Sequence, residues 1–320
     1  MIIILGDLLA DYSLRVPIIS SHPKDLHEVS YLELGPGGAT NVAIMAARFG
    51  LEVGCMGEVG DDLFGQVVID GLNREGIDTS NIVVTAGART PVANVLVDDR
   101  GEPAYLGYPG SLELEHVPAT WHQSLQQAEA LFVDGWAEHE GAPGLILESI
   151  DLARTAGVPI FFDPGPGNPR VDNGWHREAL ALATVLMATE EEANRLTGKP
   201  NPVDSARALL ELGPQLVIVK RGPAGCLLLT ESSLEIMVGF PVTLRDTTGA
   251  GDGFAGAVIY GYLCGLDLAS LGDLANATGA AKVEKPGTGH NMPTIEEINV
   301  LLERFDRGSV KLGDLNRGTA

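Results

Sequence analysis

The chain has 320 residues, 45% hydrophobic and 20% charged, with a formal net charge of −22. This is ordinary globular composition, long enough to bury a core without staples, and the negative field disfavours broad binding to nucleic-acid backbones. No run approaches the ~18 apolar residues of a membrane span. Cys55, Cys226 and Cys264 are far apart with no CxxC spacing, and the seven histidines form no HExxH pair, so the expectation is a soluble cytoplasmic protein with neither a disulfide framework nor a protein-built zinc site.

MIIIL has no basic flank and runs straight into Gly6-Asp7, as a buried first strand does and a signal peptide does not. IIIL (2–5), EVGCMG (52–57), ALFVDG (130–135), PIFFD (159–163), TVLMA (184–188) and QLVIVK (215–220) read as buried strands. Amphipathic stretches lie between them. Val42, Met45, Ala46 and Phe49 recur at helical spacing before Gly50; Phe64, Val67, Val68 and Leu72 before Gly76; Leu145, Leu147, Ile150 and Leu152 before Gly157. This alternation predicts a mostly parallel sheet covered by helices on both faces.

Two regions break the rhythm. Residues 13–34 (SLRVPII, EVSYLEL) show no helical period, and residues 90–108 read as a β-hairpin around Asp99-Arg100-Gly101. They predict a small separate sheet over the open end of the main one. The expected organisation is a large α/β nucleotide- and substrate-binding domain over 1–12, 35–89 and 109–305, a β-sheet lid over 13–34 and 90–108, and a polar C-terminal tail over 306–320.

The segment PVTLRDTTGAGDGFAGAVIYGYLCG (241–265) carries the most chemistry. Its first part is strand-like. Phe254, Ala257, Val258 and Gly261 then fall at i, i+3, i+4 and i+7, so a helix begins near Gly251 and closes at Gly265. A Gly-rich turn at a helix N-terminus offers free N–H groups at 249–252 as an anion hole, reinforced by the helix dipole. Asp252 lies in the first turn, where the dipole is expected to keep it ionised. A carboxylate there repels phosphate, unless a hydroxyl lies between the two. The carboxylate then takes the hydroxyl proton and the amides stabilise the transferring phosphoryl group. An Asp at a Gly-rich turn can also serve simply as a helix cap; the complete run DTTGAGD is more specific than that.

DTTGAGDGFAGA resembles the C-terminal motif of the ribokinase-like, PfkB-type carbohydrate kinases. GPGGATNVAIMAARFG (35–50) resembles their Gly-Gly motif, GEVGDDLFGQ (57–66) the segment that follows it, and LGDLLAD (5–11) their first strand with its sugar-contacting Asp. EEEANRLTG (190–198) and VIVKRGPAGC (218–226) fall in the family's order, so the resemblance covers the chain to about residue 305; a Walker-type GxxxxGK[ST] loop is absent. It implies a three-layer α/β/α ribokinase-like fold with a mostly parallel central sheet and an inserted β-sheet lid. The implied activity is ATP- and Mg2+-dependent phosphorylation of a sugar or sugar-acid hydroxyl. A nucleoside acceptor, or a non-catalytic binding protein on the same fold, is the alternative.

By resemblance, Asp252 is the base, and Gly249, Ala250 and Gly251 supply anion-hole amides. Asp11, Gly37, Gly38 and Asn41 form the sugar-binding set. Lys220, Gly222, Gly225 and Asn276 border the nucleotide. Glu192 positions Mg2+ through water, although the acidic run from Glu190 also suits a plain helix start. Asp246 and Thr248 contribute to a monovalent-cation loop, K+ in several members. Separately from the resemblance, exposed sheet edges invite pairing, so the lid sheet is the candidate surface for a homodimer, with the oligomeric state left open. Three positions depart from the family pattern: Leu9 where ribokinases carry Asn, Thr189 in place of the Asn that precedes the magnesium Glu, and Gly165 in the FDPGPGNPR run (162–170). No basic cluster stands near Gly37; Lys24 and Arg89 are the lid-region cations, so an unphosphorylated acceptor is expected. A dinucleotide oxidoreductase is excluded, because GDLLAD follows the first strand where GxGxxG would be required.

Overall fold

β1 (Ile2–Leu5) leads into β2 (Leu8–Arg15) and β3 (Tyr31–Gly38), then α1 (Thr40–Arg48), β4 (Val53–Gly60), α2 (Leu63–Arg74), β5 (Asp78–Thr85), β6 (Val92–Val97) and β7 (Pro103–Tyr108). The second half runs α3 (His122–Gln126), β8 (Ala130–Asp134), α4 (Ala142–Thr155), β9 (Ile160–Asp163), α5 (Trp175–Leu182), β10 (Val185–Thr189), α6 (Glu190–Thr197), α7 (Pro202–Leu210) and β11 (Leu216–Lys220). It ends with β12 (Cys226–Leu229), β13 (Leu234–Met237), α8 (Ala250–Leu263), α9 (Leu268–Val283) and α10 (Ile295–Arg304). These elements come from a computed structural model, which describes residues 1–16, 28–101, 103–136, 141–166 and 174–308. The expected tail lies outside the described residues from 309 onward.

Nine strands form the main sheet in the order β13-β12-β11-β10-β9-β8-β1-β4-β5. β4 and β8 flank β1 in parallel, and β5, β9, β10 and β11 continue the parallel run, while β12 and β13 add an antiparallel edge. The near-continuous apolar runs follow from burial on both faces. Ile2 and Ile4 of β1 pack with α1, α8, α9 and α10, whereas Ile3 and Leu5 pack with α4, α5 and α7. Two cores on opposite faces of one sheet make the three-layer architecture. Among the described residues no helix is long and apolar enough to cross a membrane.

The four-stranded sheet has the order β3-β2-β6-β7. It reaches further than the sequence suggests. β2 begins at Leu8 and β3 continues to Gly38, so residues 8–12 and 35–38, expected in the large domain, pair within the small sheet. GPGG reads as a turn, yet its backbone groups find their partners along β2. A second difference concerns 241–248, expected to be strand-like. The backbone donors of Arg245 and Asp246 go to Val283 O, and Thr247 N goes to Gly101 O. With its N–H groups committed to α9 and the lid turn, this segment joins no ladder.

Candidate active site

Asp134, Asp163, Thr189 and Lys220 are the last residues of β8, β9, β10 and β11. Ligands of open parallel sheets sit outside these carboxyl ends. The lid strands stand opposite, and a cavity of ≈ 330 Å³ lies between, lined by Asp11, Gly38, Asn41, Glu192, Lys220, Thr248, Gly249, Gly251 and Asp252 among others. Most of the site residues expected from sequence therefore converge.

Asp252 lies in the first turn of α8, after Gly249 in the left-handed region (φ 77°). Asn41 Nδ2 donates to Asp252 Oδ2 at 2.9 Å, and Asn41 Oδ1 accepts from Gly289 N at 2.9 Å. Asn41 thus orients the carboxylate as well as lining the cavity. Burial raises the Asp252 pKa to about 6 against the opposing Asn41 hydrogen bond, Asp163 raises it further, and Lys220 and Lys282 lower it, so the carboxylate is mostly ionised at neutral pH but is a stronger base than a free aspartate. Ala250 N closes a turn on Thr247 O at 3.2 Å, while the N–H groups of Gly249, Gly251 and Asp252 have no acceptor among the described residues. The amides open to an anion are thus those three, with Ala250 spent on the turn.

Asp11 comes from lid strand β2 and is buried. Its Oδ2 accepts from Thr288 Oγ1 at 2.6 Å. Burial lifts its pKa to about 7, opposed by that hydrogen bond and helped by Asp252 and Asp246. Gly37 does not line the cavity; it makes room for Asp11, since a Cβ there would stand 2.2 Å from Asp11 Cγ. Gly38 does line the cavity.

Lys220 Nζ donates to Asp163 Oδ2 at 2.5 Å. Burial works to lower its pKa, but Asp163 and Glu192 overcome this and hold it raised. Glu192 and Thr189 form a reciprocal cap at the start of α6: Thr189 N donates to Glu192 Oε2 at 2.7 Å and Glu192 N to Thr189 Oγ1 at 3.2 Å. The Thr departure therefore has a local structural use. Burial, then Asp163, raise the Glu192 pKa. Among the described residues no cluster of three or more His, Cys, Asp or Glu forms a metal cage. Magnesium held through water and phosphate oxygens needs none, and the Glu192 and Asp163 carboxylates beside Lys220 fit that role.

Asp246 is buried behind the cavity, with Oδ1 accepting from Thr248 N at 2.9 Å and Oδ2 from Gly287 N at 2.7 Å. The Thr248 hydroxyl and Asn276 Nδ2 are buried without hydrogen-bond partners among the described residues. Gly222, Gly225 and Asn276 lie away from the lining. Gly222 is exposed in the turn after β11, Gly225 is buried there, and Asn276 sits on α9 beside the Cys226 thiol. Arg89 is exposed, and Lys24 lies outside the described residues.

Sequence reasoning missed Asp134, Asp163, Thr288, Lys282 and the lining aromatics Tyr105, Tyr108, Phe132 and Trp136. The signal for the two aspartates was present: each ends a buried apolar strand at the edge where such sheets bind ligands. Asp134 accepts from Asp7 N and Trp136 N, and burial raises its pKa to about 8.

The pfkB family carbohydrate kinase model matches residues 1–295. The ATP-dependent ribose-1-phosphate kinase of Halopiger xanaduensis is 31% identical over 94% of this chain and 98% of its own length. The 2-dehydro-3-deoxygluconokinase of Bacillus subtilis is 31% identical over 90% and 93%. The solved ribokinase of Arabidopsis thaliana, complexed with ribose and ATP, superposes with a TM-score of 0.81 at 21% identity, covering 94% of this chain and 98% of that one. The chain belongs to the pfkB family of carbohydrate kinases, and its architecture is the ribokinase-like α/β/α fold. It is accordingly an ATP-dependent sugar kinase by class.

Proposed function

We propose that this kinase transfers the γ-phosphoryl group of ATP to a hydroxyl of an uncharged sugar. Asp252 is the base, and the Gly249, Gly251 and Asp252 amides receive the phosphoryl oxygens. The observation that carries this reading is the placement of the Asp252 carboxylate and those unbonded N–H groups on one cavity, with Asn41 fixing the carboxylate. The acceptor hydroxyl lies between Asp252 and the phosphate, so its proton moves to the carboxylate as the P–O bond to the acceptor forms and that to ADP breaks. Asp11 and Gly38 hold the sugar. Lys220 neutralises phosphate charge, Glu192 orders the magnesium waters, and the unpaired Asn276 amide, with the Gly222–Ala224 turn and Gly225, borders the nucleotide.

Charge argues for a neutral acceptor. Lys220 is the single cation among the described lining residues and is committed to Asp163 and the ATP phosphates, while Asp163, Glu192 and Asp252 also line the cavity; burial lifts Asp11 and Asp134 to about 7 and about 8, so these two add less charge at neutral pH. A sugar acid or sugar phosphate would face this field unpaired. The aromatic residues in the lining, Trp136 and Tyr105 above all, favour a second reading, a nucleoside whose base stacks on one of them. A coupled ADP-release screen over ribose, fructose, adenosine, 2-keto-3-deoxygluconate and ribose 1-phosphate tests both readings. Best turnover on an anionic acceptor overturns the neutral one, and no ADP release with any acceptor overturns the kinase reading itself. Three unpaired cysteines fit the cytoplasm. The exposed Leu32 and Leu106 of the lid sheet fit a homodimer through that face, which sedimentation would measure.

A further inference from the structure

Lys282 is fully buried (0% exposed) on α9, within the small-residue run ANATGAAKV. Its Nζ donates to Lys285 O at 3.1 Å. Its Cε would stand 3.5 Å from a Cβ built on Gly249, which places the ammonium directly behind the anion-hole turn. The charges that face it are Asp246 from the 240–248 segment, Asp252 from α8, Asp11 from β2 and the Lys285 ammonium, which is drawn aside by Glu297 at 2.9 Å.

A buried ammonium is expensive unless paired, and a core position among alanines has no packing need for one. Here burial lowers the Lys282 pKa to about 8, and the Asp246, Asp252 and Asp11 carboxylates oppose that enough for the ammonium to stay mostly charged at neutral pH. A monovalent ion beside Asp246 and Thr248, which the family resemblance implies, finds one open ligand in the Thr248 hydroxyl but meets a buried ammonium already facing Asp246. Each Asp246 oxygen already accepts a backbone N–H, the Lys285 carbonyl is taken by Lys282, and a positive charge is already in place.

We propose that the Lys282 ammonium is a tethered cation that takes the place of an exchangeable monovalent ion in this chain. It ties the Lys285 end of α9 to the Gly249 turn and sets a fixed positive charge behind the amides that receive the phosphates. Lys282 is a positioning residue, and this inference rests on the kinase reading above.

Calorimetric binding of Mg·AMP-PNP in tetramethylammonium chloride and in potassium chloride, at equal ionic strength, tests it. The wild-type affinity is expected to be the same within about twofold in both salts, and Lys282→Ala to bind at least about tenfold more weakly without K+, the scale of a lost charge-assisted contact, and to recover with it. Lys282→Met, which fills the space without charge, is expected to be weak in both. K+-dependent wild-type binding overturns the proposal, as does a folded Lys282→Ala that is either unimpaired or deaf to K+. If neither variant folds, the wild-type comparison decides alone. A wild type that binds no nucleotide in either salt sinks the kinase reading and this one with it.

Discussion

Asn41 Nδ2 and Asp252 Oδ2 meet at 2.9 Å across 211 residues of chain. One helical turn further along, Met45 of α1 packs where Gly256 of α8 has no side chain; a Cβ on Gly256 would lie 2.8 Å from Met45 Cβ. The close approach of the two helices is what delivers the amide to the carboxylate. The base itself is tested by Asp252→Asn, which keeps the shape and removes the proton acceptor. Turnover should fall by about 10²–10⁴-fold, the usual worth of a general base. Calorimetric binding of the acceptor should change little, and retained turnover would remove Asp252 from its role.

The rate should depend on pH in a direction fixed by burial. The Asp252 pKa is raised to about 6, and only the ionised form accepts a proton, so the rate at saturating substrates should fall as pH drops through about 6. Asn41 stabilises the ionised form. Asn41→Ala should therefore move the acid limb to higher pH as well as lower the plateau. A limb that stays put in that variant would show that the titrating group is not the one Asn41 touches.

Gly37→Ala tests the seat of Asp11. The added Cβ would meet the Asp11 carboxylate group at 2.2–2.5 Å. Asp11 must then turn away from Thr288 and from the cavity. The acceptor KM should rise by about tenfold or more, the worth of a charged hydrogen bond, with the ATP KM nearly constant.

Lys220→Met leaves Asp163 and Glu192 facing each other and Asp252 with less positive charge nearby. The KM for Mg·ATP should rise at least about tenfold. The acid limb of the rate profile should also shift upward, because Lys220 lowers the Asp252 pKa. Kinetics across pH 5–8 would separate these effects, and an unchanged limb would count against the electrostatic link.

Asp62 N-caps α2 through Gly65 N at 2.9 Å and also accepts from Thr90 N and Thr90 Oγ1 at 3.1 and 2.8 Å. Asp62→Ala should cost about 1–2 kcal/mol of stability with little change in acceptor KM. Thermal and urea denaturation would report it.

Much of this was legible in the sequence. Six buried strands announced themselves because strands covered on both faces carry unbroken apolar runs, and DTTGAGD pointed to the family to which the chain belongs. β5 was not seen, because its burial is patchy, nor were β12 and β13, the first a four-residue run and the second a half-exposed edge. The reach of the lid sheet was hidden because GPGG has turn composition and only pairing along β2 makes it a strand. Lys282 was hidden for another reason. A lone lysine in a helix reads as solvated, and only three-dimensional packing reveals the carboxylates around it. Asn276 lies beside the Cys226 thiol and away from the cavity lining, a placement on α9 that its local sequence does not reveal.

The Thr288–Asp11 and Gly289–Asn41 hydrogen bonds attach neighbouring residues of one loop to the acceptor carboxylate and to the amide that holds the base. That loop is therefore a shared wall between two binding events. If nucleotide binding shifts it, acceptor affinity must change, and by thermodynamic reciprocity the acceptor alters nucleotide affinity by the same factor. The two substrates of this enzyme would then report on one another without touching.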